Sequence, residues 1–147
     1  MTNSSKTSEI APRFERPLWW SMALACTAVL VVAAALEPDL RGYGTHAQLG
    51  LPPCGFLLLT GAPCPGCGLT TAFAHAIRGN WLLAADANPF GVLLFVLSCA
   101  CVPLGMIAGW RRWPVDDAIE RFALGRWALA VAGCGVVLWV VRLADAF

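Results

Sequence analysis

Three long apolar stretches dominate the pattern of hydrophobic and polar positions along the chain, at residues 18–36, 90–110 and 123–144. Each is close to the ~20 residues an α-helix needs to cross the hydrocarbon of a bilayer, so the pattern predicts three spanning helices. Only Ser21 and Thr27 interrupt the first, and Trp19 and Trp20 are placed to anchor it at one interface. Basic residues before it and Ala33-Ala34-Ala35 near its end would also suit a cleaved signal peptide. The apolar run exceeds the ~7–15 residues of a signal-peptide core, which favours a retained helix.

The second stretch opens at Asn88-Pro89. There the asparagine can accept from a free N–H of the first turn, and the proline lacks only a donor that would be idle anyway. Pro103 predicts a kink. Gly105-Met106-Ile107-Ala108-Gly109 gives a small-xxx-small face on which another helix, including one from a separate membrane protein, could lie close. The third stretch carries Arg126 and Arg142 inside its ends. The roughly 15 apolar residues between them cover only about 22 Å, less than a ~30 Å core. Both arginines are therefore expected to snorkel outward, with an intramembrane charge pair as the alternative.

The remaining segments behave differently. Residues 1–17 mix Ser, Thr, Pro and charges of both signs and predict a flexible tail, leaving 18–147 as a single membrane domain. Between the first two spans, Gly50, Pro52, Pro53 and Gly55 break one apolar run, while His75, Arg78, Asn80 and Asp86 break the next. Neither can span, so residues 50–88 are expected to form a short interfacial or re-entrant helical element. Its parts would be a broken piece over Leu51–Thr60, a turn through Gly61–Gly68, and a helix from Leu69 to Arg78 ended by Gly79. A second short helix would then run from an Asn80 cap to Ala87. Thr71, His75 and Arg78 fall on one face of the first helix, opposite Leu69, Phe73, Ala76 and Ile77. That polar face is expected to meet water or headgroups, with Trp81 at headgroup depth.

Composition supports membrane residence. Of 147 residues, 59% are hydrophobic and 13% charged, too little polar surface for a soluble domain of this size. The formal net charge of +1 offers no basic field to gather phosphates, so the expected partner is the lipid bilayer and not nucleic acid. Charge speaks to topology instead. Lys6, Arg13, Arg16, Arg111, Arg112, Arg121 and Arg126 fall on one side of a three-span chain, against Arg41, Arg78 and Arg142 on the other. This bias predicts a cytoplasmic N-terminus and an extracytoplasmic interfacial element.

The candidate chemistry lies in the cysteines. Cys26, Cys99, Cys101 and Cys134 sit in apolar runs, where a thiol packs as a small inert hydrophobe. Cys54, Cys64 and Cys67 do not. Pro63 and Pro65 stiffen the chain around Cys64, Gly66 and Gly68 permit positive φ, and a helix starting at Leu69 would aim its free N–H groups back at Cys67, favouring thiolate there. Three chemistries fit. Zinc or iron could be held by Cys54, Cys64 and Cys67 with His75, or else His46, as fourth ligand, although a second Cys-x2-Cys or a His-x3-His pair is missing. Cys64 and Cys67 could instead form a redox dithiol with Cys54 as its resolving partner, without the βαβ pattern of a thioredoxin domain. Third, a disulfide from Cys54 to Cys64 or Cys67, or packed free thiols, could simply staple the element.

No serine-nucleophile arrangement, phosphate loop or paired-carboxylate pattern stands out. The expected function is therefore that of a non-enzymatic subunit or accessory protein whose cysteine element is structural or metal-binding. A membrane thiol-disulfide oxidoreductase is one alternative, and a lipid- or partner-binding module using Leu69–Ala87 is another.

The run Leu51-Pro52-Pro53-Cys54-Gly55-Phe56, then Thr60-Gly61-Ala62-Pro63-Cys64-Pro65-Gly66-Cys67-Gly68-Leu69-Thr70, Arg78-Gly79 and Asn88-Pro89 resembles the bacterial membrane family catalogued as domain of unknown function 2752. The resemblance implies a small multi-span protein of a bacterial inner membrane. Its shared signature is Cys54, Cys64, Cys67, Gly68, Thr70, Gly79, Asn88 and Pro89. Where that family often carries an arginine after the threonine, this chain has Thr71.

Overall fold

A computed structural model describes residues 15–115 and 123–145. Most of the expected N-terminal tail, and Arg121 in the second connection, lie outside the described residues. The described chain is helical throughout: α1 (Glu15–Ala35), a 3-10 turn (Thr45–Leu49), α2 (Gly55–Thr60), α3 (Leu69–Ala76), α4 (Trp81–Ala87), α5 (Pro89–Arg111) and α6 (Leu124–Asp145). Of these, α1, α5 and α6 are long and apolar enough to cross a membrane. Their outward faces carry Leu24, Val31, Leu104, Leu129 and Val137, side chains whose exposure suits lipid and not water. The three helices are consistent with an integral membrane protein in contact with the bilayer.

Small residues decide how α1 meets α5. A side chain added at Gly105 would lie 3.1 Å from both the Ala23 Cβ and the Trp19 carbonyl, and one at Gly109 would lie 2.9 Å from the Trp20 ring. The two helices run antiparallel along this seam, because the late residues of α5 meet the early residues of α1. The helix that lies close on this small-residue face is α1 of the same chain. At the opposite end of the seam, Ala33, Phe73, Ala76, Ala84 and Phe95 form a small core. Phe95 receives the edges of Phe73 and Trp81 at centroid distances of 5.5 and 5.8 Å. The helix α5 continues through Pro103, which has no N–H to give to the preceding turn.

The element between the first two spans has nearly the expected parts in altered surroundings. The helix from Leu69 ends two residues earlier than expected, at Ala76, and Gly79 closes the following turn at φ +78°. Asn80 stands at the start of α4 without a side-chain capping bond, so the expected cap is positional only. Asn88 does cap α5: its Oδ1 accepts from the Gly91 N–H at 3.0 Å.

The polar face of α3 corrects the sequence expectation. Thr71 and His75 are buried, and Arg78 turns to donate to the Ala33 and Ala34 carbonyls at the end of α1, at 3.4 and 3.0 Å. These are carbonyls that the helix end itself leaves unpaired, and a guanidinium there also complements the helix dipole. Helical periodicity gives the face of a residue but not what covers that face, and here α1 and the 3-10 turn do.

Candidate metal centre

Cys54, Cys64 and Cys67 are brought together at the end of the bundle where α1 finishes, α5 begins and α6 finishes. Their sulfur atoms all lie within 4.8 Å of one another, and Cys64 Sγ is 3.2 Å from Cys67 Sγ. All are free thiols; Cys67 is buried and the other two are half-buried. Four ligands at the usual Zn–S length of ~2.3 Å around a tetrahedral ion place neighbouring sulfurs about 3.8 Å apart. The Cys64–Cys67 pair is closer than that spacing and no pair is farther apart than 4.8 Å, so the cluster has the scale of a single thiolate-bound ion.

Local backbone chemistry builds the Cys64–Cys67 arm. The Cys67 N–H donates to the Cys64 carbonyl at 3.0 Å, closing a turn with Pro65 and Gly66 at its centre. Gly68 follows at φ +86°. A Cβ there would strike the carbonyl oxygens of Ala87 and Gly42, two backbones that no side chain can displace. The opposite arm is Cys54, which immediately precedes α2.

Side chains from the spanning helices then tie the turn down by its carbonyls. Buried Asn88 donates from Nδ2 to the Cys67 carbonyl at 2.9 Å and to that of Pro65 at 3.2 Å. Arg142, near the end of α6, donates to the Cys67 carbonyl at 3.1 Å and to that of Ala87 at 2.8 Å. Trp139, one turn earlier, donates to the Pro63 carbonyl at 3.0 Å and meets the Phe56 ring edge-on. Each bond satisfies an acceptor that the irregular backbone could not pair by itself. Arg142 therefore does more than snorkel, as its position in the sequence suggested; it clamps the cysteine turn. The length of the apolar run around it placed it near the end of a span but gave no sign of its partners.

The thiols are electrostatically unequal. Cys54 is held below the usual thiol range by the Leu57 N–H of α2 and by the neighbouring Cys64 and Cys67 thiols. Cys67 is pushed up to about 12 by burial and by its contact with Cys64. The sequence placed the favoured thiolate at Cys67 on the strength of the following helix; removal from water outweighs that helix, and Cys54 is the acidic member.

His75, expected as a fourth ligand, is not in the three-sulfur group. It lies in the last turn of α3, whereas the cysteines stand before the first, and its Nδ1 is buried with no hydrogen-bond partner among the described residues. His46 is differently placed. With Arg41, Tyr43, Pro53, Cys54 and Cys67 it lines a cleft of about 110 Å³ that opens onto the cysteine cluster. Arg41 is held there by Asp39 through bonds of 3.0 and 2.7 Å, which keep the Asp39 carboxyl at about 2, well below its usual value.

Residues 54–102 match the family described as protein of unknown function (DUF2752), the family that the sequence motifs resemble. The match covers about a third of the chain, beginning at Cys54 and including the cysteine turn, α3, α4 and the first half of α5. His46, Trp139 and Arg142 lie outside it. No curated protein and no solved structure matches the chain.

Proposed function

We propose that this chain is a small membrane protein that holds one soft metal ion, zinc or iron, in a three-thiolate site at the end of its helix bundle. The carrying observation is the convergence of Cys54, Cys64 and Cys67 to within 4.8 Å from two separate backbone segments. Thiolate ligands suit such ions, and zinc accepts the geometry without any redox change. Three thiolates around a divalent ion leave a net negative charge, which Arg142 beside the Cys67 carbonyl would offset. The role is that of an accessory protein or subunit whose bound ion fixes the interfacial element against the spans. The excess of basic residues on the opposite side supports an extracytoplasmic site, in the inner membrane of a bacterium by the family resemblance.

Metal content of the chain purified in detergent tests this directly. One ion per chain is expected, falling to background in Cys54→Ser, Cys64→Ser and Cys67→Ser; retention by all three would sink the reading. The 3.2 Å approach of Cys64 and Cys67 favours a second reading, in which this dithiol closes to a disulfide by passing two electrons and two protons to an acceptor such as a quinone. Turnover of such an acceptor that requires Cys64 and Cys67 but no metal would establish it instead.

A further inference from the structure

The geometry points to His46 Nδ1 as the fourth ligand of the three-thiolate site, making it a Cys3His centre; this rests on the metal reading above. The first support is the tautomer. His46 Nε2 lies 3.2 Å from the Pro52 carbonyl oxygen. A carbonyl can only accept, so in the neutral ring this contact puts the proton on Nε2 and leaves the lone pair on Nδ1. A metal-binding imidazole commonly donates its other N–H to a backbone carbonyl, which fixes the ring and raises the basicity of the ligating nitrogen. Here that carbonyl belongs to the residue two before Cys54, so the ring and the first thiol ligand hang from one short segment.

The second support is the placement of the turn that bears His46. Thr45 is fully buried; its Oγ1 lies 2.8 Å from Thr71 Oγ1 on α3 and accepts from the Asp39 N–H at 3.0 Å. Gln48 closes the same loop by donating to the Glu37 carbonyl and accepting from the Glu37 N–H. The Gly42 carbonyl, in turn, lies where it would stand 2.8 Å from a Cβ at Gly68, next to Cys67. Residues 42–46 thus run directly past the cysteine turn, and His46 shares the cleft with Cys54 and Cys67. His75, at the far end of α3, has no such route to it.

In the described arrangement His46 lies outside the three-sulfur group, so closing the fourth bond draws the 42–46 and 52–54 segments together towards Cys67 across the cleft, with the Pro52 hydrogen bond kept. Binding then balances simply. A divalent ion enters, three thiols release three protons, and neutral His46 adds a ligand without a charge, leaving a centre of net charge −1.

Cobalt(II) titration of the full-length chain in detergent, followed by zinc competition, tests the assignment. Wild type is expected to show sulfur-to-cobalt charge transfer with the intense visible bands of a tetrahedral site. His46→Ala should keep the charge transfer, shift and weaken the visible bands, and lower affinity by at least the roughly 10- to 100-fold that losing an outer-shell partner costs. His46→Cys should restore a tetrahedral spectrum with added charge transfer, and His75→Ala should match wild type. If His46→Ala equals wild type in spectrum and affinity, or if His75→Ala alone shifts the bands, the His46 assignment falls while the three-thiolate site stands. Absence of charge transfer from wild type would overturn both.

Discussion

The seam between α1 and α5 and the corner that holds the cysteines use opposite means of cohesion. Along the seam, Gly105 and Gly109 let Ala23, Trp19 and Trp20 approach to van der Waals contact, and the cohesion is packing. At the corner the chain is broken by Pro63, Pro65 and Gly68, and Asn88, Trp139 and Arg142 reach back from the spans to its free carbonyls. Lipid supplies no donors, so irregular backbone near the membrane persists only where the protein supplies them. Packing along the seam is non-directional, whereas the hydrogen bonds at the corner fix the direction of each carbonyl they reach.

The comparison can be broken from either side. The largest effect is expected at Gly68→Ala, where a left-handed backbone and two immovable carbonyls meet the new methyl group. A loss of at least about 3 kcal/mol should appear in thermal unfolding in detergent, together with loss of metal. Next comes Asn88→Ala, which removes a helix cap, takes the side-chain donor from the Pro65 carbonyl and leaves the buried Cys67 carbonyl to Arg142 alone. It should cost about 2–3 kcal/mol and weaken cobalt binding, as read by titration. In the seam, Gly105→Ala should cost about 1–2 kcal/mol by overpacking yet leave cobalt affinity and spectrum unchanged. If Gly105→Ala disturbs the metal as much as Asn88→Ala does, the two regions are not separable and the contrast fails.

The smallest effect concerns Asp39, whose carboxyl is depressed from 3.8 to about 2 by Arg41. Because the folded value lies below the usual one, the pair's contribution is fully present above pH 3.8 and is lost as pH falls through about 2. Arg41 is exposed and Asp39 half-buried, so water screens the pair and Asp39→Asn should alter unfolding at neutral pH only slightly. Its unfolding curve should converge with that of wild type in acid.

The spans and the short helices were legible because each rests on local signals: apolar runs of membrane length, Gly79 as a stop, and Asn88-Pro89 as a start. The convergence of the three sulfurs was legible only as a possibility, since a Cys-x2-Cys turn says nothing of where Cys54 folds. Three features were beyond local reading. Arg142 looked like a snorkelling residue because its partners lie 75 and 55 positions away. Thr71 and His75 looked solvated because periodicity cannot show that the Thr45 turn and α1 cover them. The acidic thiol was misplaced because the depth of burial of Cys67, which decides its proton, depends on the same distant contacts.

The central claim, that Cys54, Cys64 and Cys67 act as one metal-holding unit, is tested most directly by mass spectrometry of the intact chain extracted from membranes, with thiol alkylation before and after chelation. One ion per chain is expected under native conditions, with these three thiols protected from alkylation until a chelator removes the ion. A metal-free chain whose Cys64 and Cys67 are joined in a disulfide, or whose three thiols all alkylate without chelator, would contradict it.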